Sequence, residues 1–185
     1  EFDYPFGRKE LFGLAYRTDY DLARHAEFSR RDMTWENPET KKKLVPHVIE
    51  PTFGLDRALL AILLSAYDEE VVEGGETRTV LHLAKSIAPV KVAVFPLLKN
   101  KPELVAKARE VFDSLRKDFV CEFDDNGNVG KRYRRQDEIG TPYCVTIDFE
   151  TLDNGTVTVR DRDTMQQDRV AITDLREVMR DRLSD

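Results

Sequence analysis

The second half of the chain alternates between strand-like and helix-like segments, and this alternation constrains the fold more than any other feature of the sequence. The β-rich run VKVAVFPL comes first. Leu104, Ala108, Val111 and Leu115 then recur at helical spacing, which predicts a helix over residues 101–119. A strand that leads into an amphipathic helix is the beginning of an α/β unit.

The alternation continues along the chain. The strand VCEF precedes a turn at DDNGN, a helix through VGKRYRRQDEI and the strand YCVTIDF. Asp153-Asn154-Gly155 is typical of a β-hairpin turn, here leading into TVTVRDR. A last amphipathic helix carries Leu175 and Met179 on its apolar side. This order predicts a compact α/β domain with a mostly parallel or mixed sheet covered by helices.

A change in composition at residues 68–78 divides the chain. The stretch DEEVVEGGETR combines acidic residues with paired glycines and can bury little surface, so we expect a loop or linker there. We therefore predict one domain over residues 1–78 and a second over residues 79–185. Within the first, residues 56–67 form a helix with no polar face, which is the pattern of a helix buried inside a larger body.

Composition excludes several classes of protein. With 41% hydrophobic and 35% charged residues over 185 positions, the sequence is typical of a globular protein. Its longest apolar stretch, residues 58–66, is too short to cross a bilayer, and the N-terminus lacks a signal-peptide pattern. We therefore expect a cytoplasmic protein with no membrane partner. The formal charge of −6 argues against indiscriminate binding of nucleic acid, although a local basic patch can still bind it.

The cysteines and histidines give no metal-binding pattern. Cys121 and Cys144 lie far apart, so we expect reduced thiols in the core. His25, His47 and His82 show no ligand spacing, so we predict no metal site.

One group of polar residues surrounds the start of the apolar helix. Glu10 occurs in RKELFGLAY, and Glu50, Thr52 and Arg57 occur in EPTFGLDR. Carboxylates at a strand end can hold a small ammonium group, and an arginine at a helix start can bind phosphate through paired hydrogen bonds. In the alternative interpretation, Asp56 caps the helix and Arg57 forms a surface ion pair.

A second group consists of cations around Tyr133 at another predicted helix start. These cations are Lys131, Arg132, Arg134 and Arg135. Clustered cations beside an aromatic ring suit a nucleic-acid backbone with a stacked base. A solvated helix face, paired with Asp137 and Glu138, would have the same pattern.

Four long segments occur in the order found in the homodimeric glycyl-tRNA synthetases, a class II family. They are PFGRKELFGLAYRTDYDL, VIEPTFGLDRALLA, APVKVAVFPL and GKRYRRQDEIGTPYCVTIDF, the last with its continuation DNGTVTVRDRDTM. The sequence resembles this family almost from end to end. EPTFGLDR looks like class II motif 3, and the chain from Val80 onward is similar to the anticodon-binding domain of class IIa synthetases. The resemblance implies the C-terminal part of an antiparallel-sheet catalytic domain, followed by an anticodon-binding α/β domain with a mixed sheet flanked by helices.

The resemblance also implies roles for the residues at the start of the apolar helix. Glu10 and Glu50 would bind the α-ammonium group of glycine, with Thr52 in the same pocket. Arg57 would be the catalytic arginine of motif 3 and would bind the ATP phosphates, together with Glu50. Thr52 stands where the family usually has serine, and a methyl-sized difference is worth about 1–3 kcal/mol in discrimination between substrates.

Partners follow from the same resemblance. The full enzyme would use ATP with Mg²⁺, glycine and a glycine tRNA, and would be a homodimer, with no cofactor tightly bound to this chain. We expect the helix Val129–Ile139 and the strand end RDRD to flank the anticodon loop. The candidate tRNA contacts are Lys131, Arg132, Arg134, Arg135, Arg160 and Arg162.

Motifs 1 and 2 of class II catalysis are not found before Glu10. We therefore expect the C-terminal portion of a glycyl-tRNA synthetase, which cannot form glycyl-adenylate alone. The alternative is a non-catalytic tRNA-binding module derived from such an enzyme. Glu10, Glu50 and Arg57 argue against it, because a module without catalysis has no physical need for ammonium and phosphate ligands.

Overall fold

A computed structural model describes residues 1–72 and 74–184. The chain divides into two compact units, Glu1–Leu64 and Ser65–Asp185. This division lies earlier in the chain than the predicted boundary between residues 78 and 79. None of the described helices is both long and apolar enough to cross a membrane.

The first unit consists of short antiparallel pairs and two helices. Strands β1 (Phe2–Tyr4) and β2 (Gly7–Lys9) pair with each other, as do β4 (Trp35–Glu36) and β5 (Lys43–Leu44). The longer strands β3 (Phe12–Thr18) and β6 (Val48–Phe53) form a third antiparallel pair. Helix α1 (Tyr20–Ser29) follows β3, and helix α2 (Leu55–Ala66) follows β6.

Helix α2, which the sequence predicts to be buried inside a larger body, is largely exposed within this chain. Leu55 is 82% exposed and Leu59 56% exposed, whereas Ala61 and Ala66 are buried. The strand pair β3–β6 likewise leaves Leu14 and Phe53 exposed. The physical reason is that two-stranded sheets offer too little area to cover an apolar helix on all sides.

The second unit begins with a hairpin where a linker was predicted. Strands β7 (Tyr67–Val71) and β8 (Thr77–Leu81) pair antiparallel, so the interpretation of residues 68–78 as a linker is wrong. Arg78 of β8 is buried and donates hydrogen bonds to Glu70 and Asp137. Glu70 and Arg78 of this stretch therefore pair with each other, and Arg78 also pairs with the rest of the domain.

The rest of the second unit is a five-stranded mixed sheet flanked by helices, as predicted. Its elements in chain order are β9 (Val92–Pro96), α3 (Pro102–Leu115), β10 (Cys121–Phe123), α4 (Val129–Ile139), β11 (Tyr143–Ile147), α5 (Phe149–Asn154), β12 (Thr156–Asp161), β13 (Gln167–Ala171) and α6 (Leu175–Leu183). The strand order is β10-β9-β11-β12-β13. Strands β10, β9 and β11 are parallel, and β12 and β13 extend the sheet in antiparallel pairing.

The main core lies between the sheet and the apolar sides of α3 and α6. Leu104, Ala108, Val111 and Leu115 of α3 are all buried there, which confirms the helical spacing read from the sequence. Pro102 occupies the first turn of α3, where a missing N–H costs nothing. Burial of this face supplies most of the driving force for the second unit.

The prediction of a β-hairpin turn at Asp153-Asn154-Gly155 is wrong, because a short helix ends there. These residues end α5, and Gly155 is its C-cap with φ 70°. The N-terminus of α5 is closed by a capping box between Asp148 and Thr151. Asn-Gly favours a left-handed residue in both turns and helix C-caps, so the local signal did not separate the two. Strands β11 and β12 nevertheless pair antiparallel.

Both cysteines are free thiols. Burial raises the pKa of the Cys121 thiol to about 11 and raises the pKa of Cys144 further. Thiols with raised pKa values are poor nucleophiles, which fits the expected role of both residues in packing.

Candidate functional site

An open cleft of about 450 Å³ in the first unit brings together three of the predicted substrate-binding residues. Glu10 precedes β3, Thr52 lies in β6 and Arg57 lies in the first turn of α2. The lining of the cleft is Glu10, Leu11, Thr52, Gly54, Leu55, Asp56 and Arg57. Carboxylate, hydroxyl and guanidinium groups therefore line one cleft.

Arg57 is tied to the segment that carries Glu10. Its Nη1 donates to the backbone carbonyl of Glu10 at 2.6 Å, and the Tyr4 hydroxyl donates to the carbonyl of Arg57 at 3.3 Å. The described residues offer Arg57 no ion pair, so the alternative of a surface ion pair is not observed. A guanidinium held by one nitrogen keeps other N–H groups available for an anionic ligand.

Glu50 lies beside this cleft without lining it. The hydroxyl of Thr52 donates to Oε1 of Glu50 at 3.2 Å, which links Glu50 to the cleft. Across the β3–β6 pair, Glu50 is opposite Ala15 and Thr52 is opposite Gly13, so small residues face both polar groups. Gly13 leaves room for the Glu10 carboxylate, whose Oε1 would lie 3.4 Å from a Cβ atom at that position.

Arg17 is a contact of Glu50 that the sequence analysis missed. Its Nε lies 3.1 Å from Oε2 of Glu50, and its Nη2 donates to Asp21 at 2.8 Å. The hydrogen bond from Arg17 holds the pKa of Asp21 below its usual range, and the same pair raises the pKa of Arg17. The spacing of Arg17 and Asp21, four residues apart, was the only sequence signal for this pair.

In the second unit, the burial of Arg132 argues against its predicted role as a tRNA contact. Only 1% of the residue is exposed, and its guanidinium donates to backbone carbonyls around the start of α4. The acceptors are Pro96, Asp125, Asn126 and Gly127. Arg132 therefore fastens the loop between β10 and α4 to the end of β9.

Arg160 and Arg162 are also buried, which contradicts their assignment as tRNA contacts. Arg160 donates to both carboxylate oxygens of Asp137, at 2.8 and 3.0 Å. Arg162 pairs with Asp163 and donates to the carbonyls of Leu83 and Gly140. Both arginines are therefore committed to carboxylates and carbonyls of the same domain.

The remaining cations of α4 are accessible to different degrees. Lys131 is exposed and makes no ion pair with any described residue. Arg134 lies 3.6 Å from the exposed Glu76, a weak contact. Arg135 is committed more strongly, since its Nε donates to Asp124 at 2.9 Å. Lys131 and Arg134 are therefore the cations of this helix with the most freedom to meet an external anion.

A second cleft, of about 200 Å³, adjoins α4. Its lining includes Gly130, Tyr133, Arg134, Asp137, Arg160 and Met165. The Arg160 guanidinium carbon lies 4.9 Å from the centre of the Tyr133 ring, and the Tyr133 hydroxyl is bonded to Thr146 at 2.6 Å. Tyr133 is partly buried against Phe95 and Cys144, so only the part of its ring that lines the cleft is open to a stacked nucleobase.

A histidine links two carboxylates near this cleft. His82 Nδ1 lies 2.6 Å from Asp163, and its Nε2 lies 2.8 Å from Glu70. Burial opposes ionisation of both carboxyls, but hydrogen bonds from arginine and from His82 hold the pKa values of Glu70 and Asp163 below their usual range. Asp68, Glu70 and His82 lie close enough together to be metal ligands, although both ring nitrogens of His82 already have partners.

Comparison with known proteins identifies the class of the second unit. Residues 91–182 match the family model described as the anticodon binding domain. This part of the chain is therefore similar to anticodon-binding domains, and the predicted α/β fold with a mixed sheet flanked by helices is confirmed.

Nearly the whole chain is similar to glycine–tRNA ligases. It is 55% identical over 183 residues to the enzyme of Clostridium kluyveri, and this alignment covers 99% of the chain. It is 56% identical over 182 residues to that of Lachnospira eligens and 54% identical over 183 residues to that of Clostridium perfringens. The chain spans about two-fifths of the length of these relatives, 39%, 39% and 38% respectively. It is thus a relative of the glycine–tRNA ligases and corresponds to their C-terminal portion.

Proposed function

We propose that the protein to which this chain belongs activates glycine with ATP and transfers it to the 3′ end of a glycine tRNA. The observation that carries the proposal is that Glu10, Thr52 and Arg57 line the same cleft. Its carboxylate, hydroxyl and guanidinium groups suit a small ligand that has charged ends.

Different residues of the first unit bind the ammonium group of glycine and the phosphates of ATP. Glu10 and Glu50 hold the glycine ammonium group, because paired carboxylates neutralise and orient a small cation. Arg57 binds the ATP phosphates, and Mg²⁺ bound with the nucleotide would supply further positive charge to them. The glycine carboxylate then attacks the α-phosphate and pyrophosphate leaves. The protein contributes positioning and electrostatic stabilisation.

The second unit binds the tRNA anticodon. The cleft beside α4 supports this role, since Tyr133 offers a stacking face and Arg134 and Lys131 offer cations near the helix start. Arg132, Arg160 and Arg162 support the site from inside, and Arg135 is partly committed to Asp124. We further propose that the full-length protein is a cytoplasmic homodimer.

The test is glycine-dependent ATP–pyrophosphate exchange by the full-length protein, with alanine and serine as competing amino acids. We expect exchange with glycine only, and we expect the 185-residue chain alone to be inactive. Exchange by that chain alone would contradict its assignment as a catalytically incomplete portion. Binding of glycine tRNA without any exchange by the full-length protein would favour the non-catalytic module.

A further inference from the structure

Strand β3 contains an irregularity at Arg17. Tyr16 pairs with Ile49 and Thr18 pairs with Val48, so one extra residue lies in β3 between two consecutive partners in β6. That extra residue is Arg17. The next residue, Thr18, has φ 57°, in the left-handed region that β-branched residues rarely adopt.

This bulge has an energetic cost that a regular strand would avoid. A non-glycine residue in the left-handed region carries backbone strain. Bulges re-aim side chains and are frequent beside active sites. Here the bulge precedes α1, and Arg17 meets Asp21 on the first turn of that helix.

The Arg17 guanidinium contacts two carboxylates at once. Its Nε and Nη2 donate to the two oxygens of Asp21, and its Nε also lies 3.1 Å from Oε2 of Glu50. Isolated surface ion pairs contribute little, but a two-pronged pair within a network is the exception. Asp21 therefore fixes the direction in which Arg17 points.

Glu50 is consequently held on both sides. Arg17 lies against Oε2, and the Thr52 hydroxyl donates to Oε1. An ionised carboxylate has about four lone-pair sites, so these contacts leave room for another donor. The side chain of Glu50 is 45% exposed, which leaves it open to a ligand.

We propose that Arg17 is a positioning residue for glycine recognition: the bulge in β3 and the Asp21 carboxylate hold its guanidinium beside Glu50, and its positive charge fixes the orientation in which Glu50 meets the substrate ammonium group. This inference rests on the proposed function, since it takes Glu50 as an ammonium ligand. Arg17 itself does not touch the substrate. Without Arg17, Glu50 would sample several rotamers, and the ammonium group would bind a less ordered carboxylate.

The experiment measures ATP–pyrophosphate exchange by the full-length protein and its variant Arg17→Ala. We expect the KM for glycine to rise about tenfold, the KM for ATP to stay within about twofold and kcat to change little. Arg17→Lys keeps the charge but lacks the fork, so an intermediate KM is expected. Arg24→Ala is the matched control, because Arg24 lies on α1 and pairs only with Glu27 among the described carboxylates.

A double variant separates positioning from general destabilisation. When Glu50→Gln is already present, adding Arg17→Ala should raise the glycine KM no further, because the carboxylate that Arg17 positions has already been replaced. An unchanged glycine KM in Arg17→Ala, or an equal rise in the KM values for glycine and ATP, would overturn the inference. Absence of glycine-dependent exchange in the unmodified protein would instead overturn the proposed function, and the inference with it.

Discussion

Asp137 of α4 accepts hydrogen bonds from both terminal nitrogens of Arg160 on β12, at 2.8 and 3.0 Å, with its own side chain almost completely buried. The same carboxylate also accepts a bond from Arg78 at 3.2 Å. One buried anion thus joins α4, the hairpin β7–β8 and the central sheet. Its charge compensates cations that line or support the cleft beside α4.

Asp137→Asn should destabilise the second unit by about 3–5 kcal/mol, because it leaves buried guanidinium groups without their counter-charge. Thermal and urea unfolding of the chain would measure the loss. Glu138→Gln is the matched control, since Glu138 is the exposed neighbour. Similar stability of the two variants would contradict a structural role for Asp137.

Lys131→Ala and Arg132→Ala should change different properties: tRNA binding for Lys131→Ala and stability for Arg132→Ala. Lys131 is exposed and Arg132 buried, so we expect the first variant to weaken tRNA binding and reduce the salt slope by about 1, with stability unchanged. Arg132→Ala should lower the unfolding temperature instead. Titration of tRNA at several salt concentrations, beside thermal unfolding, checks both. A reduced salt slope in folded Arg132→Ala would be inconsistent with its buried position.

Tyr133→Leu should weaken tRNA binding by about 1–3 kcal/mol if a base stacks on the ring. Tyr133→Phe keeps the ring and loses only the hydrogen bond to Thr146, so it should bind tRNA normally with slightly lower stability. Affinities at one fixed salt concentration distinguish the variants. Equal binding by Leu and Phe variants would remove Tyr133 from the contact surface.

Gly140→Ala should be strongly destabilising, by about 3 kcal/mol or more. Gly140 caps α4 with φ 79°, and an added Cβ would lie 2.8 Å from Leu83 and 2.9 Å from the carbonyl of Leu81. Gly155 has a similar φ of 70° with nothing within 4 Å, so Gly155→Ala should cost only about 1 kcal/mol. Chemical denaturation measures the difference. Equal losses would mean that backbone strain alone, without the steric clash, sets the cost.

The stability of the second unit should fall in acid. Glu70 and Asp163 have lowered pKa values in the folded state, so the unfolded chain binds more protons. Their contribution is present above the usual carboxyl pKa of about 4 and is lost as pH falls through that value towards the folded pKa. Unfolding between pH 7 and 3 should show a shallower decline for Glu70→Gln than for the unmodified chain. Glu122→Gln, an exposed control, should leave the profile unchanged.

Sequence patterns predicted the α/β class and the order of most elements in the second unit. The apolar spacing of α3 was sufficient because every apolar position on that face enters the core. The same reasoning failed for residues 68–78, where it treated charge as a sign of solvent exposure. Arg78 can be buried there because it pairs with the buried Asp137. Asp137 lies far away in the sequence, so the composition of a short window cannot reveal this pair.

The sequence by itself determined the fold class, the resemblance to class II synthetases and the candidate residues Glu10, Thr52 and Arg57, because these depend on local order and spacing. Only the tertiary structure decided which cations are available. Arg132, Arg160 and Arg162 look like surface cations in the sequence but are buried, while Lys131 remains exposed. The physical reason is that a cation's role depends on whether the fold brings a carboxylate or carbonyl to it, and those partners come from other elements of the chain.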